Sequence, residues 1–175
     1  MSRRPDTPGK DDPGIGRRLG VDVGSVRVGV ALSDPAPVLA TPLVTLARDA
    51  DTDSDIAQLV DLVAEHEVVE VIIGLPRTLA DRHGAAAHIA VDYSTRLSGR
   101  LGQVPVRLAD ERLSTVSASR MLSARGVKGR KQRAVVDQAA AVEILQGWLD
   151  ARAAYRARIA EAAESAQPRS SEDSG

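Results

Sequence analysis

The 175-residue sequence predicts one α/β domain, a mixed five-stranded sheet with helices on both faces. Three observations lead there. A hydrophobic content of 43% can furnish a core at this length. Two short β-branched runs near the start meet at a Gly-Ser turn, as in a hairpin. Beyond residue 50, stretches of helical period alternate with nearly all-apolar stretches, the pattern of parallel strands joined by crossover helices.

Residues 1–17 are dominated by Pro, Gly and charge, and 166–175 carry almost nothing apolar, so burial cannot offset their ordering entropy and both are expected to be disordered tails. The folded domain is then expected over 18–150, with a helical extension and tail over 151–175. Leu19–Val23 and Val26–Leu32 form the hairpin around Gly24 and Ser25, and Val38–Leu46 is a third extended stretch. From Asp53 to His66, the residues Ile56, Leu59, Val60 and Val63 recur at helical spacing, with Asp53 and Asp55 suited to the positive end of a helix dipole. Val68–Ile73 is an apolar run ending in Gly74, Leu75 and Pro76, as a buried parallel strand feeding a loop would. A helix over Ala85–Leu101, a strand over Val104–Ala109, a helix over Thr115–Ala124 and a last helix from Ala134 complete the order.

Composition removes several function classes. With no cysteine, there is no disulfide scaffold, thiol nucleophile or sulfur-ligated zinc site, and three scattered His give no metalloprotease spacing. His83 and His88 read as surface or helix-packing residues. No apolar run long enough to span a bilayer occurs, and the polar start lacks a secretion signal, so a cytoplasmic protein without a membrane partner is expected. Aromatics make up 2%, with no Phe, which argues against a surface that stacks successive unpaired bases.

A net charge of −1 hides strong segregation. Residues 49–76 hold eight acids and no Lys or Arg, whereas 112–136 hold seven basic residues and no acid. The centre of the second segment, RGVKGRKQR, places Arg125, Lys128, Arg130, Lys131 and Arg133 on a glycine-containing loop able to follow a phosphate backbone. A solvated Arg-rich loop is the plainer alternative. The spacing is not that of a phosphate-cradling P-loop, so no nucleotide cofactor site is read there.

Three carboxylates stand where charge is costly. Asp22 interrupts the apolar first strand, unless it only hydrogen-bonds the Gly24 turn. Glu111 follows Asp110 at the carboxyl end of a late strand, the edge where open α/β sheets hold ligands, although an acid before a helix can also cap it. Asp137 shares an apolar helix face with Ala141, Ile144 and Trp148. Dipole stabilisation of about 0.3–1 kcal/mol is small beside the several kcal/mol needed to desolvate an unpaired charge there, so a bound cation would resolve the conflict. Three such acids, if they converge, suit Mg²⁺ or Mn²⁺ and two-metal phosphodiester hydrolysis.

The strings VDVGSVRVGVALSD (21–34), VIIGLP (71–76), ADERLST (109–115) and VDQAAAVEILQGWLD (136–150) together resemble the YqgF/RuvX family over about Leu19–Leu149. The resemblance implies a ribonuclease H-like fold, and Asp22, Glu111 and Asp137 as catalytic metal-binding acids. It implies a nuclease that matures the 5′ end of pre-16S rRNA or, alternatively, a Holliday-junction resolvase, with structured nucleic acid as partner and the 125–133 loop as a contact. The chain departs from the family pattern at Val26 and at Arg77–Thr78. Resolving a junction takes two symmetric cuts and so a homodimer, whereas one RNA cut needs a single site. A non-catalytic ribosome-assembly protein on the same fold is a further alternative, which loss of an acid would favour, and all three acids are present.

Overall fold

The computed structural model describes residues 4–76, 84–111 and 130–167, with only the backbone of 130–132. Its elements are β1 (Arg18–Val23), β2 (Arg27–Ser33), β3 (Ala40–Ala47), α1 (Ser54–Glu65), β4 (Glu70–Leu75), α2 (Ala85–Leu101), β5 (Val106–Asp110) and α3 (Arg130–Ala166). The helix expected over Thr115–Ala124 lies outside the described residues.

The strands form one sheet in the order β3-β2-β1-β4-β5. β1, β2 and β3 are antiparallel neighbours, and β4 and β5 run parallel to β1. The hairpin closes through the Gly24 amide donating to the Arg27 carbonyl at 2.9 Å. A side chain at Gly24 would stand 2.7 Å from that oxygen, so glycine is required by space. This is the mixed five-stranded sheet, helices on both faces, that the ribonuclease H-like resemblance implies.

Strand alternation divides the core in two. Leu19 and Val21 of β1 and Val71 and Ile73 of β4 pack with Ile56, Leu59 and Leu97 beneath α1 and α2. On the other face, Ala31 and Ile72 pack with Ala141, Ile144, Leu145, Trp148 and Leu149 of α3. The α3 face expected to turn inward does so. Tyr93 of α2 donates to buried Asp55 of α1 at 2.8 Å and ties the two helices together.

Residues 4–17, whose composition predicts disorder, are instead bound to the sheet. The Asp6 amide donates to the Leu108 carbonyl at 2.7 Å, and the Asp6 carboxylate accepts the Leu108 amide at 2.8 Å, so this segment satisfies the exposed edge of β5. Asp12 pairs with fully buried Arg18 at 2.7 Å and with Arg152 of α3 at 2.9 Å. Arg18 and Arg107 share Glu70, which also accepts the Trp148 indole N–H at 3.1 Å. Composition missed this because the ordering comes from paired charges rather than apolar burial. Burial pushes the Asp12 carboxyl up, but hydrogen bonding and charge from Arg152, then charge from Arg18 and Arg156, outweigh it and leave its pKa below the usual 3.8.

Candidate active site

The site lies on the α3 face of the sheet at the carboxyl ends of β1, β4 and β5. Arg18, Gly20 and Asp22 alternate onto that face of β1. A Cβ at Gly20 would meet Leu145 Cβ at 2.6 Å and the Ala141 carbonyl at 2.9 Å, so α3 crosses directly over the strand. Asp22 sits opposite Gly29 of β2 and is 3% exposed. Gly29 in turn lies beneath Asp137, whose Cβ would stand 3.1 Å from an added side chain. Cross-strand partners share a face, so Asp22 points toward the first turns of α3, where Asp137 sits.

Glu111 reaches the same region from β5. It is 6% exposed, and its Oε1 would lie 3.0 Å from a Cβ at Gly74, the last glycine of β4. The β1–β4 register runs to Val21 opposite Ile73, which leaves Asp22 and Gly74 side by side at the strand ends. The missing side chains at Gly29 and Gly74 leave room for the Asp137 backbone and the Glu111 carboxylate to lie against the strands that flank Asp22.

Asp137 is half-buried and accepts a hydrogen bond from Arg27 Nε at 2.8 Å. Arg27 was not singled out from the sequence. A cation next to the hairpin turn, two residues before Gly29 and on the same strand face, is the signal that could have found it. Among the described residues no group of three or more His, Cys, Asp or Glu side chains stands close enough to hold a metal ion. The three acids thus share one face and one end of the sheet, with Arg27 occupying the outermost of them. Their donor chemistry, three carboxylates and no soft ligand, suits a hard divalent cation.

Of the expected phosphate contacts, Arg125 and Lys128 lie outside the described residues, as do the side chains of Arg130 and Lys131. Arg133 is exposed on the first turn of α3. Arg77 and Thr78 also fall outside, and Val26 is exposed at the hairpin tip.

A family model described as "RuvX: Holliday junction resolvase" matches residues 16–151. The chain belongs to the RuvX family. RuvX relatives include a protein of Mycobacterium sp. (strain KMS), 60% identical over 152 residues, covering 87% of this chain and 90% of its own length. A Mycolicibacterium smegmatis protein is 60% identical over 154 residues, covering 87% and 91%. One from Rhodococcus opacus is 57% identical over 151 residues, covering 85% of both. All three carry the name "Putative pre-16S rRNA nuclease". Among solved structures, T. thermophilus RuvC in complex with a Holliday junction substrate aligns at a TM-score of 0.47 and 13% identity, covering 82% of this chain and 96% of that one. Among the described residues no helix is long and apolar enough to cross a membrane.

Proposed function

We propose that this RuvX protein is a divalent-metal-dependent nuclease that hydrolyses phosphodiester bonds in structured nucleic acid. Its proposed substrate is the 5′ end of pre-16S rRNA in the cytoplasm. The observation that carries the reading is that buried Asp22, Glu111 beside Gly74 and Asp137 over Gly29 lie on one face and at one end of the sheet. Mg²⁺ or Mn²⁺ would be held by Asp22, Glu111 and Asp137, and when bound would lower the pKa of a coordinated water and stabilise charge developing at phosphorus. Asp22 anchors the cluster because its strand is central and its carboxylate cannot swing out. Glu111 supplies a second, buried carboxylate beside Gly74. Arg27 offsets the repulsion that Asp137 would otherwise feel from the other two acids, and must release it for all three carboxylates to face one ligand. Exposed Arg133, with Arg125, Lys128, Arg130 and Lys131, would grip substrate phosphates.

The test is cleavage of precursor 16S rRNA in Mg²⁺ by the wild-type protein and by Asp22→Asn, which keeps the shape of the side chain but removes its charge. Wild type should cut and Asp22→Asn should not, and Mg²⁺ should raise the melting temperature of the wild type more than that of the variant. Cleavage that persists in EDTA, or in Asp22→Asn, would overturn the metal-dependent reading. A second reading, resolution of four-way DNA junctions, is favoured by the description of the matched family. It calls for two active sites and hence a homodimer, so symmetric cleavage of a junction by a dimeric species would select it over rRNA processing.

A further inference from the structure

A cleft of about 560 Å³ opens beside Glu111, between α3 and residues 6–10 of the N-terminal segment. Its size falls within the range of small-molecule sites. Two of the three aromatic side chains in the whole chain, Trp148 and Tyr155, line it. The third, Tyr93, is committed to Asp55 in the core. With Ile144 and Ala151 they form one apolar stripe along α3, at spacings of three to four residues. Trp148 is 5% exposed with its N–H taken by Glu70, so the indole floors the cleft rather than offering it a donor. Half-buried Tyr155 is the aromatic surface nearer solvent. Exposed Lys10 and Arg158 line the walls of a cleft that the carboxylates of Asp6, Asp110 and Glu111 also line.

We propose that this cleft receives a single unpaired nucleobase from the nucleotide next to the cleaved phosphate, stacked on Tyr155 with its flanking phosphates on Lys10 and Arg158. The inference rests on the nuclease reading and specifies its substrate: one nucleotide beside the cut must leave the duplex. The chain is too poor in aromatics to stack a run of bases, but one slot needs only the single half-buried ring of Tyr155 over the Trp148 floor. Charge complementarity selects the occupant. An apolar slot with exposed Lys10 and Arg158 on its walls, Asp6 spent on the Leu108 amide, and Asp110 and Glu111 toward the proposed catalytic end matches a base carried on phosphates and disfavours an acidic or purely apolar peptide. The wall formed by residues 6–10 is set in place by Asp6 on β5 and by Asp12 on Arg18 and Arg152, so the slot exists before substrate arrives.

Trp148 is the only tryptophan and reports directly on the cleft. The experiment titrates the full chain in EDTA, where no cleavage occurs, with an RNA pentamer and with the same pentamer carrying one central abasic site, and follows Trp148 emission. The intact pentamer should quench the emission. The abasic pentamer, which keeps every phosphate, should bind roughly 5- to 150-fold more weakly, the range expected for loss of one stacked base. Tyr155→Ala should weaken the intact pentamer to the same degree and the abasic one no further, while Tyr155→Phe should bind like wild type. Equal affinity for intact and abasic pentamers in the wild type, or no quenching by either, overturns the proposal, and that comparison needs no variant to fold. Base-dependent quenching in a protein that cuts no nucleic acid in Mg²⁺ supports the slot and refutes the nuclease reading. Cleavage with base-independent binding refutes the slot alone.

Discussion

Replacing Gly29 by Ala tests whether the helix carrying Asp137 rests directly on the strand paired with Asp22. The added Cβ would stand 3.1 Å from Asp137 Cβ and nearer still to the Asp137 carbonyl, a backbone atom that cannot rotate aside. Relief requires the first turns of α3 to lift from β2. Overpacking of this kind costs about 1–3 kcal/mol. In a chain of this size each kcal/mol lowers the melting temperature by about 2–4 °C, so the expected fall is roughly 2–12 °C. Gly99 provides the opposite control. It lies in α2, an added Cβ there meets nothing within 4 Å, and Ala is the better helix former by about 0.5–1 kcal/mol. Gly99→Ala should therefore melt higher than wild type and Gly29→Ala lower, as followed by circular dichroism during heating. Because the lift displaces Asp137 from Asp22, Gly29→Ala should also lose cleavage well below its melting temperature, whereas Gly99→Ala should retain it. A melting temperature for Gly29→Ala equal to or above wild type would refute the contact between α3 and β2 on which the site is built.

Arg133→Ala should weaken nucleic-acid binding and reduce the slope of log K against log salt by roughly 0.7–0.9 if one phosphate contact is lost; an unchanged slope in a filter-binding titration would remove Arg133 from the interface. Asp12 has a folded pKa below its ordinary value, so its contribution to stability is complete above about pH 3.8 and disappears as pH falls through the lower folded value. Melting temperatures of wild type and Asp12→Asn should differ at pH 6 and converge in stronger acid, and a constant gap across that range would refute the ion-pair account of the N-terminal segment. Tyr93→Phe removes the hydroxyl that donates to the buried Asp55 carboxylate and should cost about 1.5–3 kcal/mol in urea denaturation, the usual worth of a hydrogen bond to a charged group. An unchanged denaturation midpoint would show that the α1–α2 link is not formed in solution.

The order and type of the described elements were legible from local pattern, because strand alternation, the helical spacing of Ile56, Leu59 and Val63, and the Gly24 turn are properties of neighbours in sequence. The inward face of α3 could be read for the same reason: Asp137, Ala141, Ile144 and Trp148 follow one helical stripe. Asp22, Glu111 and Asp137 stood out as charges in apolar or ligand-edge settings, and the family strings marked the same three residues. Their approach is a different kind of fact. It depends on β1, β4 and β5 lying side by side, and on Gly29 and Gly74 leaving room beneath α3, contacts between residues as much as 108 positions apart. The pairing of Arg27 with Asp137 across 110 positions is likewise invisible to any local window. The N-terminal segment marks the sharpest division. Its Pro, Gly and charge content forecasts disorder when considered alone, since no apolar burial offsets its ordering entropy. Only the folded chain brings Arg152 from the middle of α3 to Asp12 and an unsatisfied strand edge to Asp6, and these long-range electrostatic and hydrogen-bonding partners decide that the segment is held and that a cleft exists beside Glu111.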